Sequence, residues 1–166
     1  AYTDLLRLAH HAIKNANPNT LVVTGGLMPV VVASENGRSD AAWTIEEFWR
    51  VMAESGAAQS ADCLGVQYLE GVLPPTATSG DPRGEASAYY FPPVIDAASN
   101  ALSLPVCVTR LGYLTREGYP LLPASLEWAA NITIAQQAEW LSGAIAALQA
   151  RTDVRLAVVW NIDYTA

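Results

Sequence analysis

An α/β fold with a parallel sheet is predicted by three observations on this sequence. Helical and extended patterns alternate four times along 166 residues. The extended runs are short and apolar on both faces, as in sheets covered by helices. The helical segments between them are amphipathic crossovers, so the strands run parallel with right-handed connections. Four strands cannot close a barrel. That leaves an open four-stranded sheet or half of an eight-stranded barrel.

Thr3 suits the cap of a first helix, whose apolar positions Leu5, Leu6, Leu8, Ala9, Ala12 and Ile13 follow helical spacing. Asn17-Pro18-Asn19 stops it, because proline clashes with a continuing helix. Leu21-Val22-Val23 is the first strand, broken at Gly25-Gly26. After a loop to Asp40, Thr44 and Glu47 form a capping box, and Ile45, Phe48, Trp49 and Met52 supply a buried stripe that stops at Gly56. Cys63-Leu64-Gly65-Val66 is the second strand. Residues 71–88, rich in Pro, Gly, Ser and Thr, read as a long surface loop, and such loops inside compact domains are often functional. Pro92 and Pro93 suit the first turn of a third helix that reaches about Leu102. Pro105-Val106-Cys107-Val108-Thr109 is the third strand, followed by a loop over 111–131. Thr133 and Gln136 make a second capping box, opening a helix to about Ala150. Leu156-Ala157-Val158-Val159-Trp160 is the last strand.

Composition bounds the function. Sixteen acidic against nine basic residues give a net charge of −7, with Lys14 the single lysine. That balance argues against nucleic acid or an anionic membrane surface as partner. A hydrophobic content of 51% excludes disorder, and no apolar run reaches the length of a membrane span. The charged fraction of 15% is low for a domain standing alone. Cys63 and Cys107 are too few for a disulfide framework, and each sits in an apolar run, so buried free thiols are expected. Residues 1–166 form a single segment, with both ends expected to be cuts through a larger fold.

Several chemistries are excluded by pattern. Thr24-Gly25-Gly26 matches neither phosphate-binding glycine spacing. His10 and His11 are adjacent on a helix, point in different directions and cannot share a metal. With no other histidine and no G-x-S-x-G elbow, a catalytic triad is implausible. Neither metal nor cofactor is expected. Asn131-Ile132-Thr133 fits a glycosylation sequon, though its better explanation is the helix start at Thr133.

Parallel α/β folds place ligands at the carboxyl ends of their strands. Here those positions are Thr24, Gln67 with Tyr68, Thr109 with Arg110, and Trp160 with Asn161. Aromatic planes beside amides and a guanidinium suit a sugar ring, whose C–H face stacks while its hydroxyls are hydrogen-bonded. Packing roles for Trp160 and Tyr68 are the competing explanation.

Five segments resemble the second half of a clan A glycoside hydrolase barrel. Asn17-Pro18-Asn19-Thr20 into Leu21-Val22-Val23-Thr24-Gly25-Gly26-Leu27 is similar to strand five and its lead-in, and Asp62-Cys63-Leu64-Gly65-Val66-Gln67 to strand six. Pro105-Val106-Cys107-Val108-Thr109-Arg110-Leu111-Gly112-Tyr113 is similar to strand seven, and Gln136-Gln137-Ala138-Glu139-Trp140-Leu141 to the helix after it. Val158-Val159-Trp160-Asn161-Ile162-Asp163-Tyr164 is similar to strand eight, with the tryptophan that lies beneath the sugar in that family. The resemblance implies a parallel four-strand, four-helix half of a TIM (β/α)8 barrel. It also implies an extracellular or cell-surface setting.

One departure decides what the resemblance implies for chemistry. Where the family carries its nucleophilic glutamate, this chain has Arg110, and Gln67 stands where a histidine is common. A retaining glycosidase needs a carboxylate at that place. A guanidinium stays protonated, cannot attack an anomeric carbon and repels an oxocarbenium-like charge. The implied function is therefore a non-catalytic glycosidase-like domain with a carbohydrate-binding cleft. Trp160, Tyr68 and Tyr113 are expected to offer stacking surface, and Gln67, Arg110 and Asn161 hydrogen bonds. An assembly subunit using the barrel as scaffold is a second reading, since two open strand edges invite the other half of a barrel or another chain. A glycosidase with Glu70, Glu117 or Asp163 as substitute carboxylate is a third.

Overall fold

The computed structural model describes residues 1–32, 42–118 and 123–160. Among these, four helices and a three-stranded parallel sheet make an α/β fold. The helices are α1 (Tyr2–Ala16), α2 (Ile45–Glu54), α3 (Phe91–Ala101) and α4 (Ile134–Gln149). The strands are β1 (Leu64–Tyr68), β2 (Val106–Leu111) and β3 (Val154–Val159), in the order β1-β2-β3.

The expected first strand is present only as isolated parallel bridges, Val23 to Cys63 and Leu27 to Val66. Val23 to Leu27 is one residue longer than Cys63 to Val66 opposite, so the ladder breaks between the bridges. The break has a local cause. The Gly65 N–H, a ladder donor, is taken by the Thr24 hydroxyl at 2.8 Å. The backbone there crosses so closely that a Cβ on Gly65 would lie 2.4 Å from the Thr24 carbonyl oxygen. Only glycine fits at that crossing.

Most helix ends follow the sequence signals, with the Thr44–Glu47 box of α2 seen in its Thr44 half and α1 departing from its expected cap. Thr133 accepts from the Gln136 N–H while Gln136 accepts from the Thr133 N–H, a complete capping box for α4. Thr44 accepts from the Glu47 N–H at 3.3 Å, and Gly56 takes a left-handed φ of 78° just past α2. Pro92 and Pro93 lie in the first turn of α3. At α1, however, Thr3 is inside the helix and bonds the Ser55 hydroxyl at 2.7 Å; Ala1 holds the cap position without a side-chain bond. The α1 stripe is also narrower than its pattern, with Leu6 buried but Leu5 and Leu8 65% and 61% exposed.

The core joins Trp49 of α2 and Ile95 of α3 to Leu64, Val66, Val106, Val108 and Leu111 of the sheet. Cys63 and Cys107 are buried as expected, but the free-thiol reading is overturned: they form a disulfide, with Cα atoms 5.8 Å apart. Gly65 pairs with Cys107 across the sheet, and Cys63, two residues earlier, shares the face of Gly65. That places both sulfurs on one side of neighbouring strands, a proximity invisible in a list of two distant cysteines.

Candidate functional site

The carboxyl rim of the sheet is shaped by a register shift. Val66 pairs with Val108, but Gln67 pairs with Arg110, so β2 carries one extra residue, Thr109, at this point. The Thr109 hydroxyl donates to the Val66 carbonyl at 3.2 Å, anchoring the bulge. A bulge reverses the side-chain alternation beyond it. Arg110 is thereby brought beside Gln67 rather than onto the opposite face.

The Arg110 guanidinium lies over the Trp160 ring, 3.7 Å from its centroid. Trp160 follows β3 directly, its N–H donating to the Leu111 carbonyl at 2.8 Å, and the residue is 43% exposed. Gln67 donates from Nε2 to the Gly26 carbonyl at 3.0 Å, tying the first extended segment to this rim. Thr109 fills the space a Gly26 side chain would need, 2.0 Å from where its Cβ would stand. Three of the expected residues, Gln67, Arg110 and Trp160, therefore meet at one place.

Two expected stacking residues do not face outward. Tyr68 and Tyr113 are 3% and 2% exposed and form a chain of edge-to-face rings, Phe91–Tyr68–Tyr113–Trp140, with centroids 5.2–5.8 Å apart. Their period-two placement beyond the bulge turns them toward α3 and α4, so they pack the core instead of a sugar. Tyr68 donates to the Tyr89 carbonyl at 2.8 Å, whereas the buried Tyr113 hydroxyl has no partner among the described residues. Burial pushes both phenols well above the usual range. Asn161 and Asp163 lie outside the described residues.

The remaining candidate carboxylates have other partners. Glu117, in an exposed turn, accepts from the Ile134 N–H at 2.6 Å and so caps the N-terminus of α4. Glu70 faces Arg83, with 3.9 Å between its carboxylate and the guanidinium. His10 and His11 behave as helix-surface residues, His11 bonding Asn15 at 3.1 Å. No group of three or more His, Cys, Asp or Glu side chains placed to hold a metal occurs among the described residues.

Arg83 organises the long loop after β1, which sequence reasoning flagged without its key residue. Its Nε and Nη2 donate to the two carboxylate oxygens of Asp81 at 2.9 and 2.8 Å, and Nη2 also reaches the Glu70 carbonyl at 2.6 Å. The guanidinium lies 4.2 Å from the Tyr89 ring centroid and 4.9 Å from that of Trp128. Burial penalises the Asp81 charge, yet the two bonds from Arg83 hold its carboxyl below the usual carboxylate range. The available signal was a short charged cluster, Asp81, Arg83 and Glu85, in a Pro- and Gly-rich stretch just before Tyr89-Tyr90. An apolar recess of about 320 Å³ between Leu27, Met28, Trp43 and Phe48 opens at the start of α2. No family model, no curated protein and no solved structure matches this chain.

Proposed function

We propose that this chain is the strand-five-to-eight half of a glycosidase-like barrel that does not hydrolyse, and that it binds carbohydrate at the Trp160–Arg110–Gln67 rim. The observation that carries the reading is the guanidinium of Arg110 stacked on an exposed indole, at the place where the resemblance implies a nucleophilic carboxylate. Stacking fixes the guanidinium plane, and among the described residues Arg110 makes no hydrogen bond to protein. Its N–H donors are thus free for ligand hydroxyls, while the open part of the indole suits a pyranose C–H face. The resting partners of Glu70 and Glu117 argue against either serving as substitute nucleophile here. The Cys63–Cys107 disulfide fits the extracellular setting that the resemblance implies, since such bonds persist in oxidising compartments.

A second reading, assembly with another chain, is favoured by β3 and α1. Leu156 and Val158 on β3 are 39% and 42% exposed, and Leu5 and Leu8 give α1 a second apolar face. Apolar side chains on a strand edge invite pairing. One variant separates the two readings. Trp160→Ala is expected to abolish retention on a glycan array while leaving the sedimentation behaviour of the native protein unchanged. Loss of assembly with glycan binding intact supports the scaffold instead, and turnover of aryl glycosides overturns both.

A further inference from the structure

From the charge accounting of the rim we infer that the sugar bound there carries a carboxylate, so that the ligand is a uronic-acid-containing saccharide. The inference rests on the carbohydrate reading and narrows it.

Arg110 differs from the other partly buried cations of this chain. Four cationic side chains are partly buried among the described residues: Lys14, Arg83, Arg110 and Arg151. Lys14 pairs with Asp62 at 2.6 Å. Arg83 pairs with Asp81 at 2.8 Å, and Arg151 with Asp96 at 2.6 Å and Asp153 at 2.8 Å. Arg110 alone of the four has no carboxylate within ion-pair distance among the described residues, and no hydrogen-bonded acceptor. Partly burying a cation without an anion is unfavourable, and in this chain acids outnumber bases sixteen to nine. An acidic partner was therefore statistically the easy solution, and the fold uses it at the other three positions.

What faces Arg110 instead is the Trp160 ring, which orients the guanidinium without neutralising it. Gln67, its cross-strand neighbour, is neutral and spends an N–H on the Gly26 carbonyl. No carboxylate among the described residues neutralises this oriented planar fork, and such a fork matches a carboxylate bidentately. Hydroxyls of a neutral sugar would leave the charge uncompensated. A C6 carboxylate on a sugar ring placed against Trp160 satisfies both groups at once.

The test compares short uronate oligomers (galacturonate, mannuronate and glucuronate types) with their methyl esters, which keep the ring and remove the charge. Binding is measured by calorimetry on the intact chain, on Arg110→Gln and on Trp160→Ala. At least one acid is expected to bind about tenfold or more tightly than its ester, on the scale of a charge-assisted hydrogen bond. Arg110→Gln should erase that preference, bringing the acid down to the level of its ester, and Trp160→Ala should weaken acid and ester alike. Equal binding of acids and esters, or an acid preference that survives Arg110→Gln, overturns the inference and leaves the carbohydrate reading standing. No binding of any saccharide, neutral ones included, overturns both.

Discussion

Arg110 and Tyr113 lie three residues apart, and their environments differ completely. Arg110 sits beyond the Thr109 bulge over the exposed Trp160 ring, whereas Tyr113 is buried against Tyr68 and Trp140 with its hydroxyl unbonded among the described residues. A buried hydroxyl without a partner loses its water and gains nothing in exchange. Tyr113→Phe is accordingly expected to leave stability unchanged or raise it by roughly 1 kcal/mol, measured by urea denaturation. A loss of more than that would show a bond the hydroxyl makes. The sequence showed which residues stand at strand ends. It could not show that one inserted residue in β2 would assign Arg110 to the rim and Tyr113 to the core, because a register shift leaves no mark in composition or periodicity.

At the scale of elements, local signals were legible and long-range ones were not. The capping box at Thr133, the prolines opening α3 and the glycine after α2 all act within one turn, and each was readable directly. The disulfide spans 44 residues of sequence and depends on which strands become neighbours. The broken first strand depends likewise on how Thr24 meets Gly65. Cross-linking β1 to β2 through a loop of that length stabilises the fold by about 4 kcal/mol in the chain-entropy account. Removing both sulfurs with Cys63→Ala and Cys107→Ala should therefore lower the denaturation midpoint, by a shift equivalent to an unfolding free energy on the order of 2–4 kcal/mol. An unchanged midpoint would show the two strands to be held fully by packing.

For the whole molecule, the ion pairs make stability depend on pH in one direction. Asp62 is held below the usual carboxylate range by Lys14 and the Val22 N–H, and Asp153 by Arg151 and Ser99. Asp81 is lowered by Arg83 despite its burial. A carboxyl whose folded pKa is depressed adds stability that is complete above its unfolded value, near pH 4, and is lost as pH falls through the folded value. Thermal melts are expected to be flat from pH 7 to about 5 and to fall steeply below 4. Asp81→Asn should melt lower at neutral pH and show a shallower acid slope; an acid slope identical to that of the parent would remove Asp81 from this account. The α/β class was legible at this scale because alternating amphipathic and wholly apolar segments dictate it. The three-stranded extent of the sheet was not, nor was the exposure of Leu5 and Leu8 on α1, since both depend on what packs beside them.

We propose Trp160, with Arg110 stacked on it, as the floor of a saccharide site. The most direct measurement is the indole N–H resonance of Trp160 in a nitrogen–proton correlation spectrum, assigned by its disappearance in Trp160→Phe and followed while saccharides are titrated. Saturable movement of that resonance, with the core Trp49 and Trp140 signals still, is the predicted result. A Trp160 signal that stays fixed at millimolar concentrations of every acidic and neutral saccharide tried would contradict the claim.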